Sequence, residues 1–206
     1  MNINLRRLLF IILNGLVFLF EILAIILQPK PWGIFFLSYV SYFHLLLIGI
    51  SAFNIVFNII NFKKDFKCKW LYILNILSNT GVLLGFSVCV MVYIPIYGVK
   101  YISTFTSCVY YLIIPVLAII NIFLDDNRYD MKNIYCLVIN LPELIYGAVI
   151  LIAVVNDAIK APYSFLDIKN NDVVVSILSI FGIILLTWLL SYIINGAHQL
   201  MIRKKH

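Results

Sequence analysis

Six stretches of this chain run for twenty residues or more without a Lys, an Arg or an Asp. They are Leu8–Leu27, Ile34–Ile60, Trp70–Ile94, Tyr101–Leu124, Ile134–Val155 and Val173–Ile194. A helix needs about 20 apolar residues to cross a hydrocarbon core about 30 Å thick, and each stretch reaches that length. Only helices and closed barrels satisfy every backbone N–H and C=O in lipid, and runs this long and continuous suit helices. The sequence therefore predicts an all-α polytopic membrane protein, a single domain of six transmembrane helices over residues 1–206. Its composition agrees, with 64% hydrophobic and 12% charged residues, against about 25% charged in ordinary soluble domains. Short connectors predict an up-down bundle with sequential helices adjacent and no separate soluble domain.

Basic residues set the expected orientation. Arg6, Arg7, Lys63, Lys64, Lys67, Lys69, Arg128, Lys132, Arg203, Lys204 and Lys205 flank one side of the spans, whereas Lys30, Lys100, Lys160 and Lys169 flank the other. Lys and Arg accumulate in cytoplasmic loops, so both termini are expected inside a cell membrane. The net charge of +6 then belongs to topology and to anionic lipid rather than to nucleic acid, for which no soluble module exists. Arg6 and Arg7 ahead of an apolar run mimic a signal peptide. The run is too long for an h-region and no small-x-small site follows it, so it reads as a retained first helix. Cys68, Cys89, Cys108 and Cys136 show no paired spacing, which argues against a disulfide framework or a zinc site. No cofactor or metal is implied, and the expected partners are membrane lipids.

Polar residues inside the spans carry the functional signal. Glu21, His44 and Glu143 are the ionisable groups of the six spans, tyrosine and cysteine aside. A charged group near the bilayer centre costs about 2.5–3.5 kcal/mol, and such residues mark functional sites by default. Glu21 is the fourteenth residue of the first span, His44 the eleventh of the second, Asn79 the tenth of the third, Tyr110 and Tyr111 the tenth and eleventh of the fourth, and Glu143 the tenth of the fifth. With both termini inside, these positions share a middle-to-outer layer. At 100° per residue, His44, Ser51, Asn54 and Asn58 fall within about 80° of one another. Asn133, Asn140, Glu143 and Gly147 share a face of the fifth span, as do Asn75, Ser78 and Asn79 on the third and Asn14 with Glu21 on the first. Such stripes face inward. Asn and Ser are common interhelical glue, whereas a buried carboxyl is favoured in a protonated, donating form that Asn or Gln would supply more cheaply. The expectation is one interior site made by Glu21, His44 and Glu143, with Asn79 and Tyr110 or Tyr111 beside it, surrounded by the first, second and fifth helices. It would be a polar cavity taking a small or lipid-like ligand.

Weaker signals concern packing. Gly81 and Gly85 form a GxxxG pattern that permits close helix approach. Pro115 and Pro142 interrupt the fourth and fifth spans. Trp32, Tyr93, Tyr97 and Tyr101 mark the outer interface, and Trp70, Tyr129, Tyr135, Trp188 and Tyr192 the inner one. The loop Asn156–Asp172 threads Tyr163, Phe165, Leu166 and Ile168 between charges, which reads as an interfacial turn or as a lid over the bundle mouth.

Several short motifs occur in order: Arg7-Leu8-Leu9, Tyr42-Phe43-His44, Tyr110-Tyr111-Leu112-Ile113-Ile114-Pro115, Pro142-Glu143-Leu144-Ile145-Tyr146-Gly147 and Ala161-Pro162-Tyr163-Ser164-Phe165-Leu166-Asp167. In order and spacing the chain resembles bacterial six-helix membrane proteins distantly related to the androgen-induced-gene intramembrane hydrolases. The resemblance implies a shared six-helix fold. In that family a Thr nucleophile and a His cleave lipid esters. Here the Thr position carries His44 and the His position carries Tyr110 or Tyr111, so the resemblance does not carry the chemistry over. A transporter membrane subunit is the further alternative, and a co-purifying ATPase pair would mark it.

The charge bias makes the first prediction. A cysteine introduced in the loop Lys63–Lys69 is shielded from a membrane-impermeant thiol reagent in intact cells, and one introduced in the loop Lys160–Lys169 is labelled. The reverse pattern would invert the topology.

Overall fold

A computed structural model of the chain describes residues 3–28, 39–62, 67–125, 129, 132–133, 135–161, 166–169 and 172–203. Trp32, Lys63, Lys64, Arg128, Tyr163, Phe165, Lys204 and Lys205 of the sequence reading lie outside the described residues. Every regular element among the described residues is helical. Helix α1 spans Ile3–Ile26 and α2 spans Tyr39–Ile60. Helix α3 runs over Lys69–Tyr97 and α4 over Phe105–Leu124. A short α5, Tyr135–Val138, precedes α6, Leu141–Val155, and α7 covers Val173–Arg203. Five of these, α1, α2, α3, α4 and α7, contain stretches long and apolar enough to cross a membrane.

The fifth span departs from expectation. Instead of one helix over Ile134–Val155, the chain turns at Ile139 and Asn140 between α5 and α6. Pro142 sits in the first turn of α6, where its missing N–H is no loss and its fixed φ suits a helix start. The same proline cannot bond back to Val138, so α5 cannot run through it. The remaining α6 has 15 residues, about 22 Å of rise, short of the hydrocarbon thickness.

Two other prolines act differently. Pro95 and Pro115 each follow a π-helical turn, Cys89–Tyr93 and Val109–Ile113. A proline inside a helix removes one hydrogen bond and clashes with the carbonyl four residues back. Widening that turn by one residue accommodates the ring without ending the helix. The α3 and α4 spans therefore continue where α5 does not.

Helices α1 to α4 close into a ring in which α1 packs on α2, α2 on α3, α3 on α4 and α4 on α1. Helix α7 lies against the outer side of α3 and against α5. The ring alternates in direction, as its ends show. Arg7 near the start of α1 donates to the Asn61 and Phe62 carbonyls (3.1 and 2.9 Å) at the end of α2. Arg6 donates to the Phe123, Leu124 and Asp125 carbonyls (2.6, 3.0 and 3.2 Å) at the end of α4. Here this end of the ring is termed the base. The last carbonyls of a helix have no partner within it and carry the negative pole of its dipole, so a guanidinium there supplies both donors and charge. These two arginines thus serve as helix caps, a role the charge count does not reveal.

The GxxxG pattern also acts in a way the sequence reading did not foresee. The Phe43 ring fills the space above Gly81, where a Cβ would collide with Phe43 Cδ1. The glycine admits a ring rather than a neighbouring backbone. We predict that Gly81→Ala costs about 1–3 kcal/mol of stability, the usual range for overpacking a dense core. In a Phe43→Leu background the same change costs less, as measured by unfolding the purified protein in mixed detergent micelles. Equal costs in both backgrounds would show that the ring is not what the glycine accommodates.

Candidate functional site

Two turns along α1 from Asn14 stands Glu21. Its Oε1 lies 2.6 Å from His44 Nδ1 of α2, with the Glu21 and His44 side chains 0% and 3% exposed. As an ion pair or as two neutral partners the couple carries no net charge, the form a low-dielectric interior tolerates. Tyr110 of α4 lays its ring against the imidazole, with centroids 4.3 Å apart and planes tilted by 47°. The second carboxylate oxygen, Glu21 Oε2, is buried and has no hydrogen-bond partner among the described residues.

Two adjacent tyrosines of α4 serve different places, as neighbouring residues of a helix point in different directions. Tyr110 and Tyr111 both lie within Val109–Ile113. Tyr110 points to His44, whereas Tyr111 meets Tyr101 in the connection from α3, with hydroxyls 3.4 Å apart and ring centroids 5.6 Å apart. Tyr101 in turn packs on Tyr93 and Tyr97, with centroids 4.8 and 5.9 Å away. The expected aromatic belt at this end is thus a contiguous tyrosine cluster that reaches the helix carrying the site. Burial raises the Tyr101 phenol above its ordinary range.

Toward the base, an apolar layer separates this site from a second polar level. Val17, Leu47, Val82, Ile114 and Ala118 belong to one buried cluster, each from the stretch between the two polar levels of its helix. Below it the Asn54 amide nitrogen donates to Asn14 Oδ1 (3.0 Å) and to Asn75 Oδ1 (2.8 Å). Asn75 Nδ2 in turn reaches Asp125 Oδ2 at 3.2 Å. This ladder ties together all four helices of the ring. Asn79 belongs to it rather than to the Glu21 level, because its Nδ2 donates to the Asn75 carbonyl at 2.7 Å.

Of the six residues singled out from sequence, the structure brings Glu21, His44 and Tyr110 together. Tyr111 stands with the tyrosine cluster at the end of the ring away from the base, and Asn79 with the asparagine ladder. The side chain of Glu143 lies outside the described residues. Its helix α6 does not join the ring: Ile150 and Val154 cluster with Leu166, next to Ile180 of α7. The expected arrangement of first, second and fifth helices around one interior is therefore replaced by the ring α1 to α4. Of the loop Asn156–Asp172, read as an interfacial turn or as a lid, Tyr163 and Phe165 lie outside the described residues. Leu166 anchors the described part of the loop on α6, and Lys169 pairs with Asp157 at 2.6 Å.

Two buried ionisable residues escaped the sequence reading. Helix α7 continues to Arg203, past the predicted end at Ile194, so His198 lies within it and is buried. Its Nε2 donates to the Ile122 carbonyl at 2.8 Å, and its Nδ1 meets Tyr72 Oη at 3.2 Å. Asp125 follows α4 directly, reads as loop, and yet is buried. The polar spacing Asn195 to His198 was the available signal for the first. For the second there was none, because burial of a helix-flanking Asp depends on its neighbours. Compared with protein-family models, with characterised proteins and with solved structures, the chain matches none.

The pair supports a quantitative prediction. Glu21→Leu alone strands the His44 imidazole, and His44→Leu alone strands the carboxyl; each is expected to cost about 3–5 kcal/mol, as removing one partner of a buried pair does. The double variant loses much less than the sum. Additive losses in the same detergent unfolding assay would mean that the two groups act independently.

Proposed function

We propose that this is a membrane protein whose four-helix ring binds a small or lipid-like ligand at Glu21, His44 and Tyr110. The observation that carries the reading is Glu21 Oε2, a fully buried carboxylate oxygen without a hydrogen-bond partner among the described residues. Leaving such an oxygen unpaired costs about 1–3 kcal/mol or more. A hydroxyl or amine on an otherwise apolar molecule would answer it. The rest of that molecule would meet the Tyr110 ring and the apolar cluster around Val17 and Leu47. On the charge bias the base faces the cytoplasm, and the site then lies in the outer half of the cell membrane.

The hydrolase alternative draws on the same pair, since carboxylate and imidazole form the base half of a nucleophilic triad. Among the described residues, however, no Ser or Thr hydroxyl bonds His44, whose hydrogen bond goes to Glu21. The likeness to relatives of the androgen-induced-gene hydrolases is thus offered as a likeness of fold, with binding in place of ester cleavage.

The test is direct. Wild-type protein and the variants Glu21→Gln and His44→Phe are purified in mild detergent, extracted with organic solvent and compared by mass spectrometry. We expect wild type to carry an enriched molecule in near-stoichiometric amount that both variants lose. Wild type without any enriched molecule, or variants that retain it equally, would refute the proposal.

A further inference from the structure

Three buried oxygens occupy one level of the ring, and none has a hydrogen-bond partner among the described residues: Ser51 Oγ on α2, Asn79 Oδ1 on α3 and Asn121 Oδ1 on α4. Their common level follows from helix geometry. Asn54, Asn75 and Asp125 are hydrogen-bonded in series and so define a plane across α2, α3 and the end of α4. Ser51 is three residues before Asn54, Asn79 four after Asn75, and Asn121 four before Asp125. Because the helices alternate in direction, each step moves one turn, about 5.4 Å, away from the base. A residue three or four positions along keeps nearly the same face, so all three share the inward side of the ladder. All three are buried. The Asn79 Nδ2 is taken up by its donation to the Asn75 carbonyl, and its buried Oδ1 is left without a partner among the described residues.

We propose that this level binds a monovalent alkali cation of sodium size. The donors are two amide oxygens and a hydroxyl, with no sulfur or imidazole, a set that selects hard cations over transition metals. The charged groups facing the level are few. Asp125 stands one turn below with a buried carboxylate that Asn75 holds, and the Arg6 guanidinium lies further toward the base on the carbonyls that end α4. Glu21 lies beyond the apolar layer, paired with His44. One carboxylate within a turn suits a single positive charge, whereas calcium gathers 6–8 oxygens, several of them charged. Dense packing by Val17, Leu47 and Val82 just above favours the smaller ion. The site is separate from the proposed ligand site and stands or falls without it.

Thermal unfolding of the purified full-length protein in sodium chloride and in choline chloride of equal ionic strength tests the inference. A bound ion stabilises the folded state by mass action, and about ten times its dissociation constant raises the midpoint by roughly 3–5 °C for a chain of this size. We expect that rise in sodium and a smaller one in potassium. Ser51→Ala and Asn121→Ala lose the sodium increment. Asn121→Asp adds a carboxylate at the level and lowers the sodium concentration for half-maximal effect about tenfold, because charge count tunes cation affinity. Equal midpoints in sodium and choline for wild type would overturn the proposal, as would an increment that survives in both alanine variants. Should the alanine variants not fold, an Asn121→Asp protein with unchanged sodium dependence overturns it as well.

Discussion

Hydrocarbon offers no hydrogen-bond partner, so each polar group inside α1 to α4 has to be answered from another helix or from its own backbone. Most of the ring's architecture can be traced to that requirement. At the base, the carbonyls that end α2 and α4 are answered by Arg7 and Arg6 of α1. One level up, Asn14, Asn54, Asn75 and Asp125 answer one another across four helices. Further out, Glu21 and His44 form a pair that neither helix could hold alone. Apolar packing fills the space between these levels but does not choose the partners, since lipid tails are as apolar as the Leu and Val side chains they meet. The polar contacts fix which helices are neighbours.

Proline determines how the ring presents its site. Pro115 follows the π turn that holds both Tyr110 and Tyr111, and adjacent residues of a helix point in different directions. One ring then lies on His44 and the other meets Tyr101. In an unbroken α-helix, adjacent residues differ by 100° anyway, but the register of everything before Pro115 would be rotated relative to everything after it. The tyrosine cluster draws Tyr93 and Tyr111 from the two π turns and Tyr97 and Tyr101 from the segment between them. Pro142 shows the opposite outcome, where the helix ends and restarts.

Much of this was legible in the sequence. Hydropathy located five of the six expected spans, and simple counting placed Glu21 and His44 at one depth. The 100° stripes put His44, Ser51 and Asn54 on one face, which the structure turns inward. What was not legible is pairing beyond sequential neighbours. Asn79 and Glu21 are similar in depth by count, yet they belong to levels separated by Val17, Leu47 and Val82. Depth counted from each end of a span ignores where the helix actually starts: α1 begins at Ile3, five residues before the expected Leu8, whereas α3 begins at Lys69, one before the expected Trp70. His198 was missed because hydropathy falls after Ile194 while the backbone stays helical to Arg203. A polar final stretch is a poor hydropathy signal and a perfectly good helix. Asp125 was missed because a helix-flanking acid is ordinarily solvated, and only the Asn75 contact shows otherwise.

The arginine caps bear on the order in which the chain is assembled. Arg6 and Arg7 leave the ribosome before their acceptors: Asn61 and Phe62, for Arg7, emerge about 55 residues later, and Phe123 to Asp125, for Arg6, about 118 residues later. Until α4 has entered the bilayer, Arg6 has no cap to make and the end of the asparagine ladder lacks its carboxylate. Closure of the ring therefore joins the two ends of its own α1–α4 segment, and a chain halted before Phe105 holds three of the four ring helices and lacks the α4 carbonyls that Arg6 caps.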